Sequence, residues 1–218
     1  MSPAPVSQPR TPVTAPLVVI EGLDGVGKTT LSRALARALD AQWRTTPGEE
    51  IRSVREAFES GLTGSRAARS LGYAATVISE GNHARALTRS GVPVVLDRYW
   101  LSTRVYAPAD ARAALDSVER LVPPADLTLY VWAPESVRRA RLQARGLTAE
   151  DERTLAEGTA LDRAFRARRR SRIAGTFHIL DARRSPADVL GQAIFAVLGA
   201  GFSPRVHSAL SATALHHA

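Results

Sequence analysis

Eight consecutive residues, Gly22-Leu23-Asp24-Gly25-Val26-Gly27-Lys28-Thr29, restrict the folds open to this chain more than anything else in it. They satisfy G-x-x-x-x-G-K-[ST] at every fixed position. Gly22 and Gly27 permit backbone torsions and close approaches that a side chain would block. The amides through Gly22, Asp24, Gly25, Val26, Gly27, Lys28, Thr29 and Thr30 then form a concave anion site at a helix N-terminus, whose dipole favours negative charge. In such a loop Lys28 reaches the β- and γ-phosphates of ATP, and the Thr29 hydroxyl ligates Mg2+. The flanks supply the required context. Leu17-Val18-Val19-Ile20, bounded by Pro16 and Gly22, reads as a buried strand. Leu31, Ala34, Leu35, Ala38 and Leu39 recur at helical spacing over 28–39.

The cations sharpen this reading. Of 29 basic side chains, Lys28 alone is a lysine, in a chain of net charge +8. The one compact ammonium stands where arginine's planar fork would substitute poorly. The arginines are scattered through predicted helices, and only 166–172 is dense, so the excess charge points to small anionic substrates and not to nucleic acid. There is no cysteine, which excludes a disulfide scaffold, a thiolate zinc site and a cysteine nucleophile. No apolar run approaches the roughly 20 residues that span a bilayer. Pro3, Pro5, Pro9, Pro12 and Pro16 break the N-terminus, which has no secretory h-region, so the expected compartment is the cytoplasm.

Further strands are expected at 92–96, 127–132 and 177–180, with a turn at 45–48. Helices are expected at about 51–59, 73–89, 110–121, 135–145, 151–172 and 186–199, with Gly61, Gly64 and Gly72 loosening the stretch before 73. Such alternation implies an α/β fold and, with the phosphate loop, the P-loop NTPase three-layer α/β/α sandwich with a central parallel sheet. Residues 1–15 read as a flexible extension, 16–199 as the phosphate-loop domain, and 200–218 as a tail whose 206–216 segment could be a frayed helix. A guanine-reading N-K-x-D motif is excluded because no second lysine exists. A motor-type strand ending in Asp-Glu is missing, since the candidates end in Asp97-Arg98 and Asp181-Ala182. What is left is a small kinase that phosphorylates a metabolite.

At this point the chain resembles the thymidylate kinase family over about 16–198. Two stretches are specific: Glu21-Gly22-Leu23-Asp24-Gly25-Val26-Gly27-Lys28-Thr29-Thr30, and Asp97-Arg98-Tyr99 with Ser102 and Tyr106 following. Thr46-Pro47-Gly48, Leu71-Gly72-Tyr73-Ala74-Ala75 and Pro124-Ala125-Asp126-Leu127-Thr128 resemble weaker family segments. The resemblance implies ATP and Mg2+ as cofactors, a nucleotide acceptor and a homodimer. It implies that Asp24 contacts the acceptor's sugar and helps hold the metal, with Thr29 and Asp97. It implies that Arg98 grips the acceptor phosphate, and that Pro47, Tyr73, Ser102 and Tyr106 line the acceptor site. The resemblance makes 16–199 a kinase domain with a helical lid at about 141–160, and because the loop itself carries no arginine it looks to the lid for one, with Arg141, Arg145 and Arg153 as candidates. Asp181-Ala182-Arg183-Arg184 resembles the loop beside the donor adenine.

Two departures affect acceptor recognition. Thr76 and Val77 stand where the family has Asp-Arg, whose arginine reads the thymine edge, and Thr103 replaces a polar base reader. Thr46 also replaces the glutamate of the family's Arg-Glu-Pro-Gly turn. Losing a guanidinium donor leaves base acceptors unmatched, worth about 1–3 kcal/mol. Phosphorylation of a nucleoside monophosphate, with dTMP as the acceptor, is therefore expected beside two alternatives. One is the same fold acting on another nucleotide, a nucleoside or a specialised metabolite. A hydroxyl acceptor would need a carboxylate base, for which Asp24, Glu21 and Asp97 are the candidates. The other is a nucleotide-gated binding protein.

Overall fold

The short apolar runs become strands because each is covered on both faces. The structure, a computed structural model, describes residues 15–48 and 52–202. Five strands, β1 (Leu17–Gly22), β2 (Gln42–Thr45), β3 (Val94–Asp97), β4 (Leu127–Trp132) and β5 (Thr176–Asp181), form one sheet in the order β2-β3-β1-β4-β5. Every pairing is parallel. On β1, Val18 and Ile20 join one core with Leu31, Leu35 and Leu39. Leu17 and Val19 join a second core, with Ala74, Val77 and Ala84. A strand buried on both sides reads as a continuous apolar run with no alternation.

Parallel strands need crossovers, and helices supply them. These are α1 (Lys28–Ala38), α2 (Arg52–Gly61), α3 (Arg66–Arg89), α4 (Trp100–Tyr106), α5 (Arg112–Val118), α6 (Glu135–Arg145), α7 (Ala149–Ala156), α8 (Gly158–Ala167) and α9 (Pro186–Gly199). Helices α1 and α9 contribute to the first core, and α3 and α5 to the second. The chain leaves central β1 toward β2 and β3, then crosses to β4. That reversal opens a crevice at the carboxyl ends of β1 and β3, where open α/β sheets bind ligands.

Several boundaries differ from expectation. β2 was not expected. It lies at the sheet edge with no apolar run, and is held by Trp43, which donates to Ser32 on α1 at 2.9 Å, and by an Arg44–Glu80 ion pair to α3. Helix α3 begins at Arg66 and not near 73, because Ser65 caps it by accepting from the Ala68 amide. Gly72 does not loosen this stretch: a side-chain carbon there would stand 2.8 Å from the Phe58 ring, so glycine lets α2 pack close. The single helix expected over 110–121 is a short α5 flanked by 3-10 turns at Ala109–Ala111 and Glu119–Leu121. The one expected over 151–172 breaks between α7 and α8, where Glu157 ends one helix and leads into the next. The extension at 1–14, the start of the helix expected at 51, and the tail from 203 lie outside the described residues.

Candidate active site

β1 ends in the glycine loop, and the loop ends as the N-terminus of α1. Gly27 caps that helix at φ 95°, a left-handed conformation glycine adopts freely, with no described atom within 4 Å of where a side chain would begin. At Gly22 the need is close approach, since a side-chain carbon would fall 2.5 Å from the Val131 carbonyl oxygen. Lys28 folds back over the loop: Nζ donates to the Leu23 carbonyl at 2.7 Å and stands 3.6 Å from Asp24. Burial, reinforced by the Arg98 charge, pulls its pKa down to about 8 against the pull of Asp24, Asp97 and Glu21. Thr29 and Thr30 are exposed at the mouth of the loop.

β3 sets its carboxyl end beside this loop, with Asp97 in register with Ile20. Asp97 Oδ2 accepts from the Thr29 hydroxyl at 2.6 Å. Its Oδ1 is buried with no hydrogen-bond partner among the described residues. A hydroxyl and an unmatched carboxylate oxygen at a phosphate loop suit Mg2+, which takes one or two protein ligands and completes its shell with water and phosphate oxygens. No cluster of three or more histidines, cysteines or acidic residues occurs among the described residues, so an all-protein metal cage is absent there.

Arg98 follows in a left-handed backbone conformation, φ 67°, its amide donating to the Ile20 carbonyl at 2.9 Å. Such strain in a non-glycine residue persists only where surrounding contacts fix it, commonly at functional sites. The strained turn aims the guanidinium back at Asp24, with which it forms an ion pair. Burial alone would raise the Asp24 pKa, but Arg98 and Lys28 outweigh it and hold it at about 2. Asp24 in return keeps Arg98 above its ordinary value, although burial opposes this.

Glu21 sits beneath this group, fully buried. It accepts from the Tyr99 and Ser102 amides at 3.0 and 3.1 Å and from the Ser102 hydroxyl, so it caps α4 from another element. Ser102 therefore presents its hydroxyl to Glu21 and is only 7% exposed. Glu21 is likewise engaged by α4, unlike a free base. The Thr46 hydroxyl donates to the Arg98 carbonyl at 3.0 Å, bringing the turn that contains Pro47 against the site. Tyr106 meets Phe165 edge-on, with ring centroids 6.1 Å apart, and its hydroxyl is buried beside Arg98. Tyr73 makes a similar edge contact with Phe58.

The three lid candidates fall in different places. Arg141 bridges the phosphate loop and the β5–α9 turn, donating to the Val26 and Ala182 carbonyls at 3.2 and 2.9 Å. Arg145 pairs with Asp151 at 2.7 Å and is close enough to Asp24 to lower its pKa. Arg153 pairs with its helical neighbour Glu150 and touches no loop residue among the described contacts, so it is not brought to the site in this conformation. Val77 is 3% exposed in the second core and offers an acceptor no polar group. Thr103 donates to the Tyr99 carbonyl at the limit of a hydrogen bond, 3.5 Å.

Sequence reasoning missed Arg138 and the Arg44–Glu80 pair. Arg138 is 2% exposed and donates from Nε to the Asp24 carbonyl at 2.8 Å. Its one signal was spacing, four residues before the buried Leu142 on α6.

The loop, the neighbouring strand end and the strand order have counterparts among known proteins. The family profile described as thymidylate kinase matches residues 20–193. A thymidylate kinase of Janthinobacterium sp. is 31% identical over 82% of this chain and 94% of its own length. One from Xanthomonas euvesicatoria is 32% identical over 60% of this chain, a match spanning 62% of that relative. Among solved structures, a thymidylate kinase from Candida albicans superposes with a TM-score of 0.67 at 19% identity, covering 85% of this chain and 92% of that one. A deoxyadenosine kinase from M. mycoides gives 0.63 at 14% identity, covering 84% and 99%. These two show the P-loop kinase fold alone. The profile match runs from the last residues of β1 through the loop, the β3 end and the lid into α9, and with it the chain belongs to the thymidylate kinase family.

Proposed function

We propose that the protein transfers the γ-phosphate of ATP to a nucleoside monophosphate, with dTMP as the acceptor. The observation that carries this reading is the convergence of Lys28, Arg98 and Asp24 at the mouth of the phosphate loop. Without nucleotide, one carboxylate serves two cations. When phosphates arrive, Lys28 turns from Leu23 to the β- and γ-oxygens, while Arg98 takes the acceptor phosphate bidentately. Catalysis is then positioning plus charge neutralisation in a closing cleft. No general base is needed, because an acceptor phosphate oxygen is already an anion.

Mg2+ would be held by Thr29 and Asp97, with Asp24 nearby, and would neutralise charge on the bridging phosphate oxygens. The loop amides of Gly22, Gly25, Val26, Gly27, Lys28, Thr29 and Thr30 cradle the ATP phosphates, and Arg141 steadies the loop. Arg145 is the lid arginine best placed to reach the transferring group; Arg153 would need the lid, about 141–160, to move. Pro47, Tyr73 and Tyr106 border the acceptor. Residues 16–199 act as one kinase unit, working as a homodimer in the cytoplasm. No helix among the described residues is long and apolar enough to cross a membrane.

A second acceptor class has specific support. Val77 lies in the core where the family places its thymine-reading arginine, so the base is read differently or is not thymine. A panel with coupled ADP detection tests both: dTMP, dUMP, other nucleoside monophosphates and unphosphorylated nucleosides. Turnover of dTMP above the others is expected. Turnover of unphosphorylated acceptors alone would replace this reading with the second.

A further inference from the structure

The start of α6 carries a cation that no expected site residue accounts for. On the same helix Arg139 pairs with the surface carboxylate of Glu135, Arg141 holds backbone carbonyls and the exposed Arg145 pairs with Asp151, whereas Arg138 is itself 2% exposed and has no carboxylate partner among the described residues. Nε is anchored on the Asp24 carbonyl at 2.8 Å. Nη1 fills the space left by Gly158 on α8, 2.8 Å from where a side-chain carbon would begin. Nη2 is buried with no hydrogen-bond partner, and no carboxylate pairs with Arg138 among the described residues.

A buried guanidinium with an unmatched donor and no counter-anion is an unfavourable arrangement unless something supplies the anion. Asp24 does not, since its carboxylate already serves Arg98 and Lys28. A second buried polar group stands within electrostatic reach: the Tyr106 hydroxyl, beside Arg98 and influenced by Asp24 and Arg138 as well. Two guanidiniums thus hold Asp24, Arg138 at its backbone carbonyl and Arg98 at its carboxylate, with the Tyr106 hydroxyl close by.

We propose that Arg138 binds the acceptor's phosphate, as a second guanidinium beside Arg98, with Nη2 donating to one of its oxygens. The anchored Nε holds the fork rigid, so little side-chain freedom is lost on binding. The proposal rests on the nucleoside monophosphate kinase reading and deepens it. The ligand class it implies is a 5′-monophosphate dianion, bound from two sides of Asp24.

Calorimetric titration of the full chain with dTMP, thymidine and a non-hydrolysable ATP analogue, each alone, separates the possibilities. Arg138→Gln is expected to weaken dTMP about 10- to 100-fold, the range for one lost charge-assisted hydrogen bond. Thymidine and the ATP analogue should bind as in the wild type, and in turnover the acceptor KM should rise. Equal weakening of dTMP and the ATP analogue would make Arg138 a strut for the loop and overturn the proposal, as would unchanged dTMP binding. Should Arg138→Gln fail to fold, Arg138→Lys keeps the charge but not the fork. It is expected to show the same selective loss to a smaller degree, and wild-type dTMP binding there would equally overturn the proposal. A wild-type protein that binds no nucleoside monophosphate sinks the parent reading and this one together, whereas intact dTMP binding in both variants sinks this one alone.

Discussion

In the proposed reaction phosphate recognition turns on Lys28, and its surroundings make it sensitive to pH near neutrality. Burial brings its pKa to about 8, so the free protein carries a substantial neutral fraction where an ordinary lysine, near 10.4, carries almost none. Phosphates favour the ammonium, so ATP binding should draw a proton onto it. At pH 8 about half a proton per site is expected, read by titrating in two buffers of different ionisation enthalpy. ATP affinity should be flat below pH 8 and weaken above it; affinity independent of pH from 7 to 10 would refute the assignment. Lys28 and the N-terminal amine are the two groups that an amine-acylating reagent can modify, and Mg-ATP should block the reaction at Lys28. At this scale much of the site was legible. A fixed-spacing motif names Gly22, Lys28 and Thr29 outright, because a phosphate loop needs each residue type at a distinct offset. Arg138 was not legible, because an arginine among many arginines differs from its neighbours only in facing inward, and nothing in its residue type records that.

The elements matter as supports for these side chains, and α4 is the clearest case. It is a seven-residue helix that starts two residues after Arg98, with Glu21 of β1 satisfying its first amides. The strand that launches the phosphate loop thereby also fixes the turn that aims Arg98. Burial raises the Glu21 pKa above 4.5, prevailing over the bonds from Ser102 and the charges of Arg98 and Lys28. A carboxyl raised in the folded state is most favourable below its unfolded pKa, and its stabilisation is lost as pH rises through the folded pKa. Glu21→Gln removes that titration. Its stability relative to the wild type, from denaturant melts between pH 4 and 8, should therefore shift in favour of glutamine as pH rises above about 4.5. A difference constant across that range would mean that Glu21 does not titrate as its burial requires. Elements buried on both faces, β1, β3 and β4, were readable as apolar runs because burial selects composition. Edge strand β2 was not, since Trp43 and Arg44 hold it through one ring and one ion pair that alternate without an apolar face. The α7–α8 break was hidden for a related reason, as helical periodicity continues across it while Gly158 makes room for Arg138.

At the scale of the molecule, the strand order decides where the charges gather. With β1 between β3 and β4, the phosphate loop and the Asp97-Arg98 turn share one crevice, and α6 closes its third side with Arg138, Arg141 and Arg145. Those cations sit within a chain of net charge +8, so the cleft and the body around it attract anions together. Fields of this kind act mainly on encounter and are screened by salt, with a Debye length near 10 Å at 0.1 M and 30 Å at 0.01 M. They leave the closed complex, from which water is largely excluded, much less affected. The kcat/KM for the acceptor should therefore fall several-fold between about 0.01 and 0.2 M ionic strength, while kcat at saturation changes far less. If kcat fell in parallel with kcat/KM, salt would be disturbing the bound, closed state, and attraction at a distance would not explain the charge. If neither moved, the arginine excess would be a feature of composition with no bearing on capture. A several-fold fall in kcat/KM alone would show that the whole molecule, and not only the residues touching phosphate, takes part in bringing the acceptor to Arg98.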